Sequence, residues 1–255
     1  MDLSEFCERF DDRLRIEEYA DLDAAANGLQ VGPDEASVER AVFAVDAATE
    51  TIEAASEADA DVLVTHHGVS WGGFDRVTGR KFDRIAPLIE NDIALYAVHL
   101  PLDGHTELGN AAGVADRLEL TDRERFAEVG PEYIGLRGTA SKPFTADTLG
   151  ERLGDALDTG GQDVQVLDFG PEPIEDIAVV TGSGTDWIAE ADEKGVDALV
   201  TGEGKQKAYH EAREAGITLV LAGHYATETF GVRSLKSAAE EWGLETEYVD
   251  RPTGL

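Results

Sequence analysis

Short runs of apolar and β-branched residues recur along the chain, each ended by glycine or a charged residue and each followed by a stretch of helical spacing. Leu3, Phe6, Phe10 and Leu14 share one helix face, predicting a helix from residue 2 to about 19. NGLQVG (27–32) is a turn signal ahead of a short apolar step. AVFAVD (41–46) predicts a strand, residues 49–58 an alanine-rich helix, and VLVTHHG (62–68) a buried strand. WGGFDRVTGR (71–80) is glycine-rich and predicts a loop, with a helix near 82–91 and a strand, IALYAVH, ending at His99. HLPLDGHTELGNA follows, then helical residues to about Leu118.

The charged, aperiodic stretch TDRERF (121–126) is the candidate junction between a first lobe, 1–126, and a second, 127–255. Beyond it YIGLRGTA predicts a strand, TADTLGERLGDAL a helix and VQVLDF a strand. IAVVTGSG, ALVTGEG and ITLVLAGHYATE then alternate with helices. Strands separated by helices of about 10–15 residues mean parallel βαβ units, so an α/β fold with mixed, largely parallel sheets is expected.

The last pattern repeats the first. Sliding residues 42–68 by 136 positions onto 178–204 gives nine matches in 27, among them Asp61/Asp197, Leu63/Leu199, Val64/Val200, Thr65/Thr201 and Gly68/Gly204. Composition alone gives about two. Two related α/β lobes follow as the expectation, with a site between them. The copies differ where chemistry would be: His66 and His67 correspond to Gly202 and Glu203.

Strand ends carry the candidate chemistry, because open α/β sheets bind ligands there. Alternate residues on a strand face opposite ways. His66 and His67 are therefore expected just past the strand, on a loop freed by Gly68, each holding a different ion. Alone, the pair fits equally a helix cap beside an exposed imidazole. Two further strands end in His99-Leu-Pro-Leu-Asp103 and His224-Tyr-Ala-Thr-Glu228, both histidine, three residues, carboxylate. In each, the acid falls in the first helical turn, where the macrodipole tolerates negative charge. Taken together the three stretches point to a metal site rather than to capping. Imidazole and carboxylate donors without sulfur suit zinc, iron, manganese, nickel or copper over magnesium or calcium. Two ions bridged by a carboxylate form a common hydrolytic arrangement.

Composition narrows the partners. Acidic residues outnumber basic ones 53 to 21, for a net charge of −32 spread along the chain. Self-repulsion of that size is tolerable where salt screens it, so a high-salt, halophilic cytoplasm is expected. No basic cluster marks a nucleic-acid groove. No apolar run reaches the roughly 20 residues of a membrane span, and residues 1–19 lack a signal-peptide centre. A cytoplasmic protein is expected. Cys7 is the single cysteine, which leaves no intrachain disulfide or thiolate zinc site and makes it a packing residue on the first helix.

NGLQVG, the VDA strand end at 45–47, THHG, HLPLD with Gly109-Asn110, GSG at 182–184, TGE and AGHYATE occur in order over nearly the full length. In these motifs the chain resembles the Nif-three-like family, whose bacterial members are called YbgI-type and which is often labelled GTP cyclohydrolase I type 2 homologue. The absence of a long insertion between the halves resembles its short form. The resemblance implies a dinuclear metal centre, two divalent ions per chain, within a toroidal homohexamer. Carried over by position, the ligands are His66, His67, Asp103, His224 and Glu228, with Glu228 as the bridge. His99 matches a family histidine and is expected behind the ligands or as an occasional sixth.

The remaining candidates carry less. Glu203 could face the site as a general base or cap a helix beginning near Lys205, the reading preferred here. Asn27 is read as a turn former ahead of a site-wall role. Trp71 and Tyr225 could stack a heterocycle or pack in the core. His105 and His210 are read as surface or helix residues, and Gly182–Gly184 is too short to claim a phosphate. Two functions of different class remain. One is a metal-dependent hydrolase for a small molecule; the family label implies attack on C8 of GTP with loss of formate, and the site equally suits a phosphoester. The charge disfavours a nucleotide unless arginines such as Arg76 and Arg80 line the mouth. The other is a non-catalytic metal-binding scaffold or regulator.

Overall fold

In the computed structural model, which describes every residue except Asp34, the chain divides into two units: Met1–Leu102 with Gly231–Arg251, and Asp103–Phe230 with Pro252–Leu255. The division falls at 102/103, not at the expected 126/127. Residues 121–126 belong instead to a long strand. Their charges face solvent and pair locally, Arg123 with Asp116 and Glu124 with Arg137. A strand with a charged solvent face has the composition of a linker, which is why the sequence pattern misplaces the boundary.

In the first unit, α1 (Leu3–Leu14) ends at Arg15, whose φ of 55° breaks the helix before a short 3-10 turn. β1 (Gly28–Val31), β2 (Arg40–Asp46), α2 (Thr49–Glu57), β3 (Val62–His67), α3 (Arg80–Glu90), β4 (Ala94–Ala97) and the one-turn α4 (Leu100–Asp103) follow. The second unit holds α5 (Asn110–Arg117), β5 (Leu120–Val129), β6 (Glu132–Phe144), α6 (Ala146–Ala156), β7 (Gln165–Leu167), β8 (Ile174–Val179), α7 (Ile188–Glu193), β9 (Ala198–Thr201), α8 (Ala208–Ala215), β10 (Thr218–Leu221) and α9 (His224–Thr227). The chain then returns to the first unit along α10 (Thr229–Glu241) and ends in β11 (Glu245–Tyr248). β1 is the short apolar step of NGLQVG, whereas β11, Glu-Thr-Glu-Tyr, is too short and polar to stand out from the sequence.

The first sheet runs β1-β4-β3-β2-β11, parallel except for β1. The second runs β5-β6-β8-β9-β10-β7, with β8, β9 and β10 parallel and the others antiparallel. On one face of the first sheet, Val42, Ala44, Leu63 and Leu95 pack with Ile52 of α2 and Leu88 of α3. Elsewhere in the unit, Phe6 and Phe10 of α1 meet Tyr96 and Trp242 at ring separations of 4.6 to 6.4 Å. Burying each such side chain contributes roughly 2 kcal/mol. Cys7 is buried beside them; burial, and then the charges of Asp11 and Glu8, push its thiol up to about 12, so it packs and does not act as a nucleophile. No helix of the described residues is long and apolar enough to cross a membrane.

The pseudo-repeat holds at the level of hydrogen bonds. β2 and β3 pair as Ala41↔Val62, Val42↔Leu63 and Phe43↔Val64; 136 positions on, β8 and β9 pair as Ile177↔Ala198, Ala178↔Leu199 and Val179↔Val200. The shared aspartates explain why the spacing survives. Asp61 Oδ2 accepts the N–H groups of Glu39 and Arg40 at 2.8 Å, and Asp197 Oδ2 those of Glu175 and Asp176 at 2.9 Å. Each carboxylate satisfies two backbone donors at the start of one strand from the start of the next. Asp61→Ala and Asp197→Ala should each lower the free energy of unfolding by about 1–3 kcal/mol, read from denaturant midpoints; no change in either would remove this role.

Candidate functional site

Three histidines come together in the first unit. His66 and His67 are the last two residues of β3, and His99 follows β4. Ring centroids lie 4.6 Å apart for His66 and His67, 5.1 Å for His66 and His99, and 5.6 Å for His67 and His99. One ring nitrogen from each lies within 4.8 Å of the other two. The paired histidines stand inside the strand, not just past it on a loop freed by Gly68 as expected. His67 keeps its register with Asp46 on β2 and its carbonyl accepts from Ala47, whereas pairing with β4 stops at Thr65/Ala97. The strand end is held on one side only, and the two rings converge there.

Each ring is fixed through Nδ1. His66 Nδ1 lies 3.0 Å from the carbonyl of Val98, His67 Nδ1 2.8 Å from Asp46 Oδ1, and His99 Nδ1 2.9 Å from Asp23 Oδ1. A carbonyl or carboxylate oxygen only accepts, so Nδ1 is the donor in all three and carries the proton. The nitrogen with a lone pair to offer is then Nε2. Metal-binding histidines are oriented in this way.

The acceptors are themselves held. Asp23 takes His99 and the N–H of Ala25 on Oδ1, and Asn27 Nδ2 and the N–H of Leu100 on Oδ2. Burial works to raise the Asp23 carboxyl, but the hydrogen bonds from His99, Asn27 and Ala25 outweigh it and bring it to about 2. Asn27 also accepts the N–H of His99 at 2.7 Å, so it builds the site wall instead of merely forming a turn. Gln30, from the same NGLQVG motif, accepts from Val69 and Ser70 and donates to Ala26. Its amide lies where a Cβ on residue 68 would be, within 2.6 Å, which is why THH is followed by glycine.

The second unit carries the carboxylates. Asp103, at the end of α4, is buried and accepts from Asn110 Nδ2 at 2.8 Å and Thr181 Oγ1 at 3.1 Å. Oxygens of Asp103 and Glu228 lie within 4.8 Å of each other. His224 Nε2 is 3.2 Å from Glu228 Oε2 and its Nδ1 3.2 Å from Glu203 Oε1. Burial works against a charged His224 ring, but the bonds and charges of Glu228 and Glu203 raise it to about 9. Glu203 therefore holds His224. The helix near it begins only at Ala208 and has no side-chain cap, which overturns the capping reading.

The profile of the family described as Duf34/NIF3 (NGG1p interacting factor 3) matches residues 1–252. The chain belongs to that family. A Halobacterium salinarum protein named GTP cyclohydrolase 1 type 2 homolog is 61% identical over 255 residues, covering 100% of both chains. An Archaeoglobus fulgidus protein of the same name is 39% identical over 256 residues, again covering 100% of both. Among solved structures, protein ybgI, described as of unknown function, superposes with a TM-score of 0.91 at 33% identity, and TTHA1606 from Thermus thermophilus with 0.89 at 36%; each match covers 100% of both chains.

In this Duf34/NIF3 chain the two His-x-x-x-acid motifs share spacing but not register. Val98 donates to Thr65 as Ala222 does to Thr201, which aligns His99 with Gly223 and makes His224 the first residue of its helix. A Cβ on residue 202, the counterpart of His66, would lie 2.6 Å from His224 Cα. The second copy trades an imidazole at the strand end for close approach of the next helix. The GSG motif serves the same packing: a Cβ on residue 182 would lie 2.3 Å from Glu228 Oε1 and 3.2 Å from His224 Nε2.

Of the weaker candidates, Trp71 is exposed, its ring 5.0 Å from His99 and 5.9 Å from His67, while Tyr225 is buried. His105 accepts the N–H groups of Glu107 and Leu108, and His210 lies on α8 against Tyr209. Gly182→Ala should lower unfolding free energy by about 1–3 kcal/mol, from both φ of +61° and the clash with Glu228. Gly195→Ala, at φ +68° with nothing within 4 Å of its Cβ, should lose only the backbone part, about 1 kcal/mol. Equal losses, compared by denaturant titration, would remove Glu228 as the reason for Gly182.

Proposed function

We propose that this chain binds two divalent metal ions, which His66, His67, Asp103, His224 and Glu228 would hold, and hydrolyses a small molecule there, a nucleotide such as GTP being the favoured class. The observation that carries the reading is the clamping of three neighbouring imidazoles through Nδ1, each by a different acceptor. Such rings present unprotonated Nε2 atoms toward one region, an arrangement with little use in folding and a direct use in ligation. The donor set fits the group: imidazole nitrogens and buried carboxylates suit borderline divalent cations, and the single thiol lies buried in α1. When bound, two such ions lower the pKa of water and polarise the substrate atom under attack.

The chain's own residues have assigned parts in this reading. Asp46 and the Val98 carbonyl set the tautomers of His67 and His66. Asp23 and Asn27 do the same for His99, which stays next to the ligands as an orienting or sixth group. Asn110 and Thr181 both bind Asp103 Oδ1, which aims Oδ2 away from them. Glu203, about half exposed, reaches Nδ1 of His224 and so orients that ring with Nε2 toward Glu228, as Asp46 orients His67. Names carried by the relatives support GTP as the first substrate to try.

Elemental analysis of the purified chain should give about two divalent ions per chain, and His67→Ala or Glu228→Ala should reduce that number. Asp46→Ala, which removes an outer anchor, should weaken metal affinity by about 10–100-fold. GTP and a generic phosphoester should be turned over by the wild type and not by His67→Ala. Metal without turnover beyond that control would leave a binding scaffold; a wild type free of divalent ions would end the proposal.

A further inference from the structure

With 53 acidic side chains available, a basic side chain on this protein is expected to sit on a carboxylate, and most do, among them Arg40 on Glu245 and Arg137 on Glu124. One segment departs from this. Arg76, Arg80, Lys81 and Arg84 fall within nine residues and make no ion pair among the described residues; Lys81 instead lies over the ring of Phe74, Nζ 4.9 Å from the centroid. Only Asp75 and Asp83 offset them between residues 71 and 84. The same segment supplies four exposed large apolar side chains, Trp71, Phe74, Val77 and Phe82.

Folding does not explain these residues. Arg80, Lys81 and Arg84 occupy the amino-terminal turns of α3, the end where the macrodipole favours acids. Gly72, Gly73 and Gly79, with φ of +65°, +78° and +58°, are explained by the turns they make, but the space around them is open, with nothing within 4 Å of a Cβ. The root, by contrast, is fixed at the imidazoles. The N–H of Gly72 donates to Ala24, that of Ala26 to Ser70, and the Trp71 ring stands 5.0 Å from His99.

We propose that residues 71–84 are the recognition segment of the imidazole site, and that they select a ligand joining a planar ring to a phosphate chain or comparable polyanion. The ring stacks on Trp71 beside His99 and His67, and the anion is gathered by Arg76, Arg80, Lys81 and Arg84. Guanidinium groups pair with phosphate oxygens two at a time, and an aromatic face accepts any heterocycle. A local island of positive charge is what a protein of −32 needs to admit such a ligand at all. The proposal deepens the reading above, in that the ligand is the substrate of the same site, but binding does not itself require the metals.

Isothermal titration of the full chain with GTP, ATP, guanosine and inorganic tripolyphosphate at fixed salt tests it, with metal content measured on the same samples. The triple variant Arg76→Gln/Arg80→Gln/Lys81→Gln should weaken both nucleotides and tripolyphosphate by about tenfold or more and leave guanosine unchanged. Trp71→Ala should weaken the nucleotides and guanosine but not tripolyphosphate. Lys142→Gln/Arg213→Gln, a control on cations of the other unit, should change nothing. Equal nucleotide affinity in wild type and triple variant, or no nucleotide binding by wild type, would overturn the proposal. So would a triple variant whose only change is its mass by light scattering, which would make the segment a contact between copies of the chain. Nucleotide binding in the expected pattern by a sample without divalent ions would keep this proposal and sink the metal reading; two ions with an indifferent triple variant would do the converse.

Discussion

The metal centre proposed for this protein depends on three hydrogen bonds that point away from the imidazole cluster. The outer nitrogens of His66, His67 and His99 donate to a backbone carbonyl, a strand-end aspartate and a buried aspartate. Those bonds choose the tautomer, and the tautomer decides that each inner nitrogen is a base. Three neighbouring imidazoles with no such anchors could rotate or hold protons between them. The cost of the arrangement is visible around Asp23, a carboxylate with almost no exposed surface that needs four donors to remain ionised.

The doubled α/β pattern gives this site its position. Both copies use an aspartate to bind two N–H groups at the start of the preceding strand, and both pair their strands in the same register. That frame is about folding and both copies keep it. At the strand ends the copies part. Where one has two imidazoles, the other has a glycine under the start of a helix and a glutamate on His224.

The parallel strands and the ligand candidates are legible in the sequence because both stand out against an acidic background. Runs such as VLVT and ALVT are continuous apolar strands, and six histidines in 255 residues leave few places to look. What the sequence hides is equally physical. Asp23 and Asp46 orient histidines, yet nothing separates them from the many other acids until a ring is seen to touch them. Strand β5 is masked because charged residues crowd its solvent-facing stretch. The convergence of His66 and His67 contradicts simple strand alternation, because pairing on one side stops before the strand does. The one-residue register shift between His99 and His224 lies in hydrogen bonds, where motif spacing has no access.

Nitrogen-15 NMR of the imidazole rings in the metal-free protein at neutral pH tests the account where it is most exposed. His66, His67 and His99 should each carry a proton on Nδ1, with Nε2 of His66 and His67 as the atoms that shift when a divalent ion is added. A spectrum in which any of the three holds its single proton on Nε2, or in which Nδ1 responds to the ion instead, would contradict it.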